Sequence, residues 1–161
     1  MVPNRLVHYE GKAFASSVLN SYGRTAMHAF RPQGVVPWSS AMDQAPPHYV
    51  WFQFQQPKTL TKIGFSTRTE GRLFDQAPLK FDVVAAASAE GCGVDFKSKA
   101  RILLSIEKAG FQKGNQARSW VIPTEIRAPY LCMGIKIHSS LGNSGHVSLH
   151  NTIMWESRVQ Q

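Results

Sequence analysis

The sequence predicts an all-β protein, a two-sheet antiparallel jelly-roll sandwich, and three observations carry that prediction. Residues 49–68 hold two strand-like runs, one aromatic and one alternating around Leu60, Ile63 and Phe65, so period two and not 3.6 governs the middle of the chain. Eight or nine short runs of this kind follow one another, bounded by Gly, Pro, Asn or Ser. There is no alternation of strand and helix, which sets aside a parallel α/β sheet.

Taken in order, strands are expected over 5–9, 12–17, 49–55, 59–67, 79–88, 101–107, 118–122, 130–138 and 147–157. Pro57 separates the third from the fourth, since proline has no N–H for a ladder. Between the second and third, Thr25 to Phe30 forms one helical turn, with Ala26, Ala29 and Phe30 on a shared face. In 79–88, Leu79, Phe81, Val83, Ala85 and Ala87 alternate with Lys80 and Asp82, and both phases turn apolar from Val84 onward. That pattern describes a strand wet at its start and covered at its end. In 130–138, Leu131, Met133, Ile135 and Ile137 form one apolar phase with Lys136 opposite. No internal repeat and no low-complexity linker divides the chain, so residues 1–161 read as one domain.

Composition supports a packed core. Apolar residues make up 43% and charged residues only 17% of 161, which argues against a disordered, solvating chain. A domain of roughly 150 residues buries about 70% of its unfolded surface and needs no staples. The formal charge is +8, from Lys and Arg scattered without a dense block, so the field favours anionic partners of any class. The first ten residues hold no apolar leader region and no stretch is long and apolar enough for a helical membrane span, which reads as soluble and intracellular, or extracellular if a leader has been removed. Cys92 and Cys132 are the only cysteines, without the short paired spacing of structural zinc, and reduced thiols are expected.

The residues resemble the discoidin family, also called the coagulation-factor C-type domain, a jelly-roll module within the galactose-binding-like folds. Ala15-Ser16-Ser17 is similar to its opening Ala-Ser-Ser, Ala26 to Phe30 to its Ala-x-x-Ala-Phe turn, and Trp38-Ser39-Ser40 to its Trp-Ser element. Tyr49 to Pro57 follows its aromatic-x-x-Val-Asp-Leu-x-x-Pro pattern, and Thr59 to Phe65 its next strand. Tyr49 stands where the family usually has Trp, Gln53 where it has Asp, and Pro129 where an Arg precedes the Tyr here numbered Tyr130. The family's end-to-end disulfide is missing, because both cysteines are interior to the chain. The resemblance implies a divergent member.

The resemblance also implies ligand binding by loops at one end of the sandwich, here 18–30, 66–78 and 139–146. Scaffolded loops are where binding residues concentrate. They carry Tyr22 and Arg24, then Arg68, Arg72 and Phe74, then Asn143 and His146, with Trp38 nearby. A guanidinium grips a carboxylate, phosphate or sulfate through paired hydrogen bonds, and an aromatic face stacks on a sugar ring. The plainer explanations are that Tyr22, Phe74 and Trp38 fill the core, and that Arg68 and Arg72 pair with Glu70. A structural calcium ion, common in the wider fold group, would have Asp43 and Asp75 as its carboxylates.

Catalytic signatures are missing. His146 and His150 lie about 13 Å apart if on one strand, at roughly 3.3 Å per residue, too far to share a metal. Cys92 sits in an exposed-looking turn with no base assigned to it, and there is neither a dinucleotide fingerprint nor a phosphate-binding loop ending in Lys-Ser or Lys-Thr. The sequence therefore points to a non-catalytic recognition module without a cofactor. Its expected ligand is a carbohydrate, in particular an anionic glycan. Anionic phospholipid at a membrane surface and intracellular protein–protein assembly are the alternatives. Nucleic acid ranks last, because the charge is evenly scattered and no aromatic interleaving is evident.

Overall fold

A computed structural model describes residues 4–6 (backbone only), 10–18, 25–30, 37–67, 75–142 and 145–157. The strands are β1 (Asn4–Leu6), β2 (Gly11–Ala15), β3 (Trp38–Ser39), β4 (His48–Ser66), β5 (Pro78–Ala86), β6 (Arg101–Ile106), β7 (Ala117–Val121), β8 (Pro129–Ser140) and β9 (Ser148–Ser157). Every pairing is antiparallel. The two-sheet sandwich expected from periodicity is the fold.

The 19-residue β4 joins the sheets. Its first half lies between β2 and β8, and β8 continues through β5 to β6. Its second half lies between β7 and β9, with β1 and β3 beyond β9. The separate strands 49–55 and 59–67 are thus one strand. Pro57 does not end it; instead the ladder to β8 skips from Gln53 to Lys58, leaving 55–57 exposed in the irregularity. A residue without an N–H is accommodated where pairing already fails.

Between the sheets, Val50, Phe52, Phe54, Ile63 and Phe65 of β4 meet Phe81, Val83 and Ala85 of β5, Met133, Ile135 and Ile137 of β8, and Leu149 and Met154 of β9. Phe30, at the end of the 3-10 turn Ala26–Ala29, packs against Phe52 with ring centres 5.5 Å apart. Leu131 departs from its expected phase: it packs on the outer face, and Tyr130 enters the core in its place. Ala87 lies beyond the end of β5 and is exposed.

A second apolar cluster covers the outer face of the first sheet. Tyr49, Trp51, Val84, Ala86 and Cys132 meet Cys92 and Phe96, which come from two short helices, α1 (Ala89–Cys92) and α2 (Phe96–Lys99). Trp51 is stacked between Phe14 and Phe96 at 5.4 and 4.5 Å, and its Nε1 donates to the Cys92 carbonyl at 2.7 Å. This cover explains why both phases of β4 and the end of β5 are apolar, since a strand buried on two faces loses its alternation. Gly134 makes the close approach possible. A Cβ there would lie 2.2 Å from the Val50 carbonyl oxygen and 2.4 Å from the Trp51 Cβ.

The two thiols expected to be reduced form a disulfide, Cys92 to Cys132, with Cα atoms 5.8 Å apart. Cys92 is fully buried, not exposed in a turn. Sequence spacing concealed the pair because its members are 40 residues apart and meet only when α1 folds back onto β8. The Ser88 hydroxyl sets that return by accepting from the Gly91 N–H at 3.2 Å as the α1 N-cap. Replacing both cysteines by alanine is expected to lower stability by about 2–4 kcal/mol. Thermal denaturation should show a midpoint lower by roughly 5–15 °C, and added reductant should shift the parent protein but not the variant.

Candidate binding site at the loop pole

Strand register decides which loops meet. Pro78 opposes Ser140, Ser66 opposes His150, and Trp38 and Ser39 oppose Leu149 and Ser148. The end of β4, the start of β5, the end of β8 and the start of β9 therefore share one pole, and the segments around 67–77 and 141–147 leave from it. The chain between β2 and β4 returns to the same pole, where the Ser16 hydroxyl accepts from the Tyr49 N–H at 3.0 Å.

Buried serines lace these loop bases together. Ser39 Oγ meets Ser148 Oγ at 2.7 Å, and Ser148 Oγ donates to Gln76 Oε1 at 2.9 Å. Ser40 Oγ accepts from the Val147 N–H at 3.0 Å and lies 3.3 Å from His146 Nδ1. The Ser17 hydroxyl accepts from the Ala41 N–H, and the Ser17 carbonyl from Trp38 Nε1, both at 3.0 Å. His48 Nε2 lies 2.6 Å from the Gly145 carbonyl oxygen, so that nitrogen carries the proton and donates. Four segments distant in sequence are held in fixed relation, which is what a site on loops requires of its base.

The residues singled out from sequence divide three ways. Tyr22, Arg24, Arg68, Arg72, Phe74 and Asn143 lie outside the described residues. Trp38 does not serve as a ring platform: it is 0% exposed, packed in the core with its N–H satisfied by Ser17. His146 is at the pole but 8% exposed and turned to Ser40. Asp43 and Asp75 are both exposed, and among the described residues no group of three His, Cys, Asp or Glu side chains could hold a metal ion. Sequence reasoning missed the roles of Ser16, Ser17, Ser39 and Ser40, although the paired serines were visible; nothing in a single sequence says which backbone amide a hydroxyl will meet.

Beside the pole, on the outer face of the first sheet, Asp82 Oδ2 lies 2.8 Å from His138 Nε2. Burial pushes the Asp82 carboxyl up, but hydrogen bonds from His138 and Ser105 and the charges of His138 and Lys136 outweigh it and hold the group below its ordinary value of 3.8. Lys136 and Lys97 flank the Tyr49 ring at 5.6 and 5.8 Å.

The architecture has solved counterparts. The family 32 carbohydrate-binding module of NanJ from C. perfringens, in complex with galactose, superposes with a TM-score of 0.68 at 15% identity, over 90% of this chain and 93% of that one. An F5/8 type C domain from Bacteroides fragilis gives 0.70 at 14% identity, over 97% and 98%. A variant of the lectin-binding domain of lectinolysin, complexed with Lewis b, gives 0.69 at 12% identity, over 98% and 100%. The fold is discoidin-like. No protein-family model matches the chain, and no curated protein matches it in sequence.

Two outcomes test the lacing and the electrostatics. Ser40→Ala leaves the buried Val147 N–H without its acceptor and is expected to cost about 1–3 kcal/mol by urea denaturation. The depressed Asp82 value means its contribution is present above 3.8 and lost as pH falls through the lower folded value. The parent's melting temperature should fall more steeply than that of Asp82→Asn between about pH 5 and about pH 2.5.

Proposed function

We propose that this chain is a non-catalytic carbohydrate-binding domain that takes a glycan bearing anionic groups through the loops of the pole described above. The observation that carries the reading is the convergence of three loop segments on one rigid, serine-laced base. Two of those segments contain Arg24, Arg68 and Arg72 with Tyr22 and Phe74, a residue set suited to gripping an acidic group beside a sugar ring. The sugar complexes among its structural neighbours support the ligand class, and the charge of +8 supports an anionic form of it.

The disulfide favours an oxidising compartment over the intracellular one expected from sequence. That weakens the argument for an intracellular assembly role and supports a secreted or surface setting, where glycans are displayed. No described helix is long and apolar enough to cross a membrane.

A glycan array carrying neutral, sulfated and uronic-acid structures, probed at near-physiological salt, should show binding to acidic glycans. The double variant Arg72→Ala, Phe74→Ala should lose binding to the sulfated glycans while melting as the parent does. Binding to phosphatidylserine liposomes with a blank array would replace the sugar by a lipid surface. Unchanged array binding by the double variant would move the site elsewhere.

A further inference from the structure

Among the described residues, the outer face of the second sheet differs from that of the first in having no helical cover. Opposite the core phase Ile63 and Phe65, the second half of β4 turns Lys62, Gly64 and Ser66 outward. Register sets Ser119 of β7 and Ile153 of β9 on either side of Gly64, and Trp155 of β9 beside Lys62. Gly64 keeps the floor low. A Cβ there would lie 2.7 Å from the Arg118 carbonyl oxygen and 3.0 Å from the Ser119 Cβ, so the close approach of β7 excludes any side chain. The result is an open groove of about 240 Å³. Along its β7 wall Ala117 and Ser119 are exposed.

The lining has a definite chemistry. Trp155 and Ile153 supply an apolar wall and Ser66 and Ser119 supply hydroxyls, while among the described residues no Asp or Glu lines the groove. Lys62 Nζ rests 4.1 Å above the centre of the Trp155 ring. Cation–π contact at an exposed site is weak, so an ammonium held only this way is available to an arriving carboxylate. The volume lies below the roughly 300–1,000 Å³ of drug-sized sites and suits a single small ring.

We propose that this groove is a second binding site, separate from the loop pole, for one carboxylate-bearing sugar ring. The ring lies on Gly64 with its C–H face against Trp155 and Ile153. Its carboxylate meets Lys62, and its hydroxyls meet Ser66 and Ser119. Charge complementarity selects the acidic sugar, because Lys62 brings a cation to the groove floor and none of the described residues that line it is acidic.

The test is a titration of the whole chain followed by amide and indole NMR, with digalacturonate as the probe and uncharged galactobiose as its comparison. Digalacturonate should shift the Trp155 indole N–H and the amides of residues 62–66 and 151–155, and bind about tenfold more tightly than galactobiose, the difference expected of one charge-assisted contact. Lys62→Ala, a surface change that leaves the core untouched, should erase that preference, and Trp155→Ala should remove the shifts. The shifts should persist in Arg72→Ala, Phe74→Ala. Their loss in that variant would assign the ligand to the loop pole and overturn the groove, as would absent shifts or an unchanged preference in Lys62→Ala. An array blank for sulfated glycans with these shifts intact would defeat the loop-pole reading alone.

Discussion

The rest of the structure depends on one strand that serves two sheets. At roughly 3.3 Å per residue, the 19 residues of β4 would extend about 60 Å if straight, far longer than a sandwich of this size can accommodate in one layer. The strand therefore changes sheets between Phe54 and Leu60, and its neighbours change with it, from β2 and β8 to β7 and β9. Both of its halves are central, so every other strand is placed by reference to it. The relative position of the sheets, and with it which loops share a pole, follows from where β4 bends.

The two sheets solve the problem of their outer faces differently. On the first, Tyr49, Trp51, Val84 and Ala86 would present an apolar patch to water, and the α1–α2 excursion covers them. The Phe14–Trp51–Phe96 stack supplies the contact, while the disulfide ties the cover to β8 and limits how far it can open. On the second sheet the outward residues of β4 are smaller or polar, and no helix among the described residues covers them. Gly64 lowers the surface into a groove, and Lys62 lies across the Trp155 ring. The difference arises from residue choice on alternate positions of the same strand.

At the loop pole, order comes from below. Hydroxyls of Ser17, Ser39, Ser40 and Ser148 satisfy buried groups that would otherwise be costly to leave unpaired. Short polar side chains suit this task because they lose little rotamer freedom and leave the loops above them free to vary in sequence. Trp38 and His146 lie close to this hydroxyl-bonded base and are buried with it. Residue type pointed to the neighbourhood in both cases, but depth in the fold decided the role.

How much was legible depended on the range of the signal. Alternation is local, so it set the strand positions nearly throughout, including the covered end of β5 and the short turn before Phe30. It did not reveal the continuity of β4 through Pro57, because a break in pairing and a break in the strand leave the same local trace. It misplaced Leu131 for a similar reason, since a bulge in the partner shifts phase without any mark in β8 itself. By itself, then, the sequence determined the all-β class, the positions of the main strands and most of their apolar phases, all of which rest on contacts between near neighbours, but not β3 or the two short helices. Tertiary structure alone decided the Cys92–Cys132 bond, the burial of Trp38, the serine lacing and the groove over Gly64, because each joins residues dozens of positions apart and exists only once the strands have chosen their register.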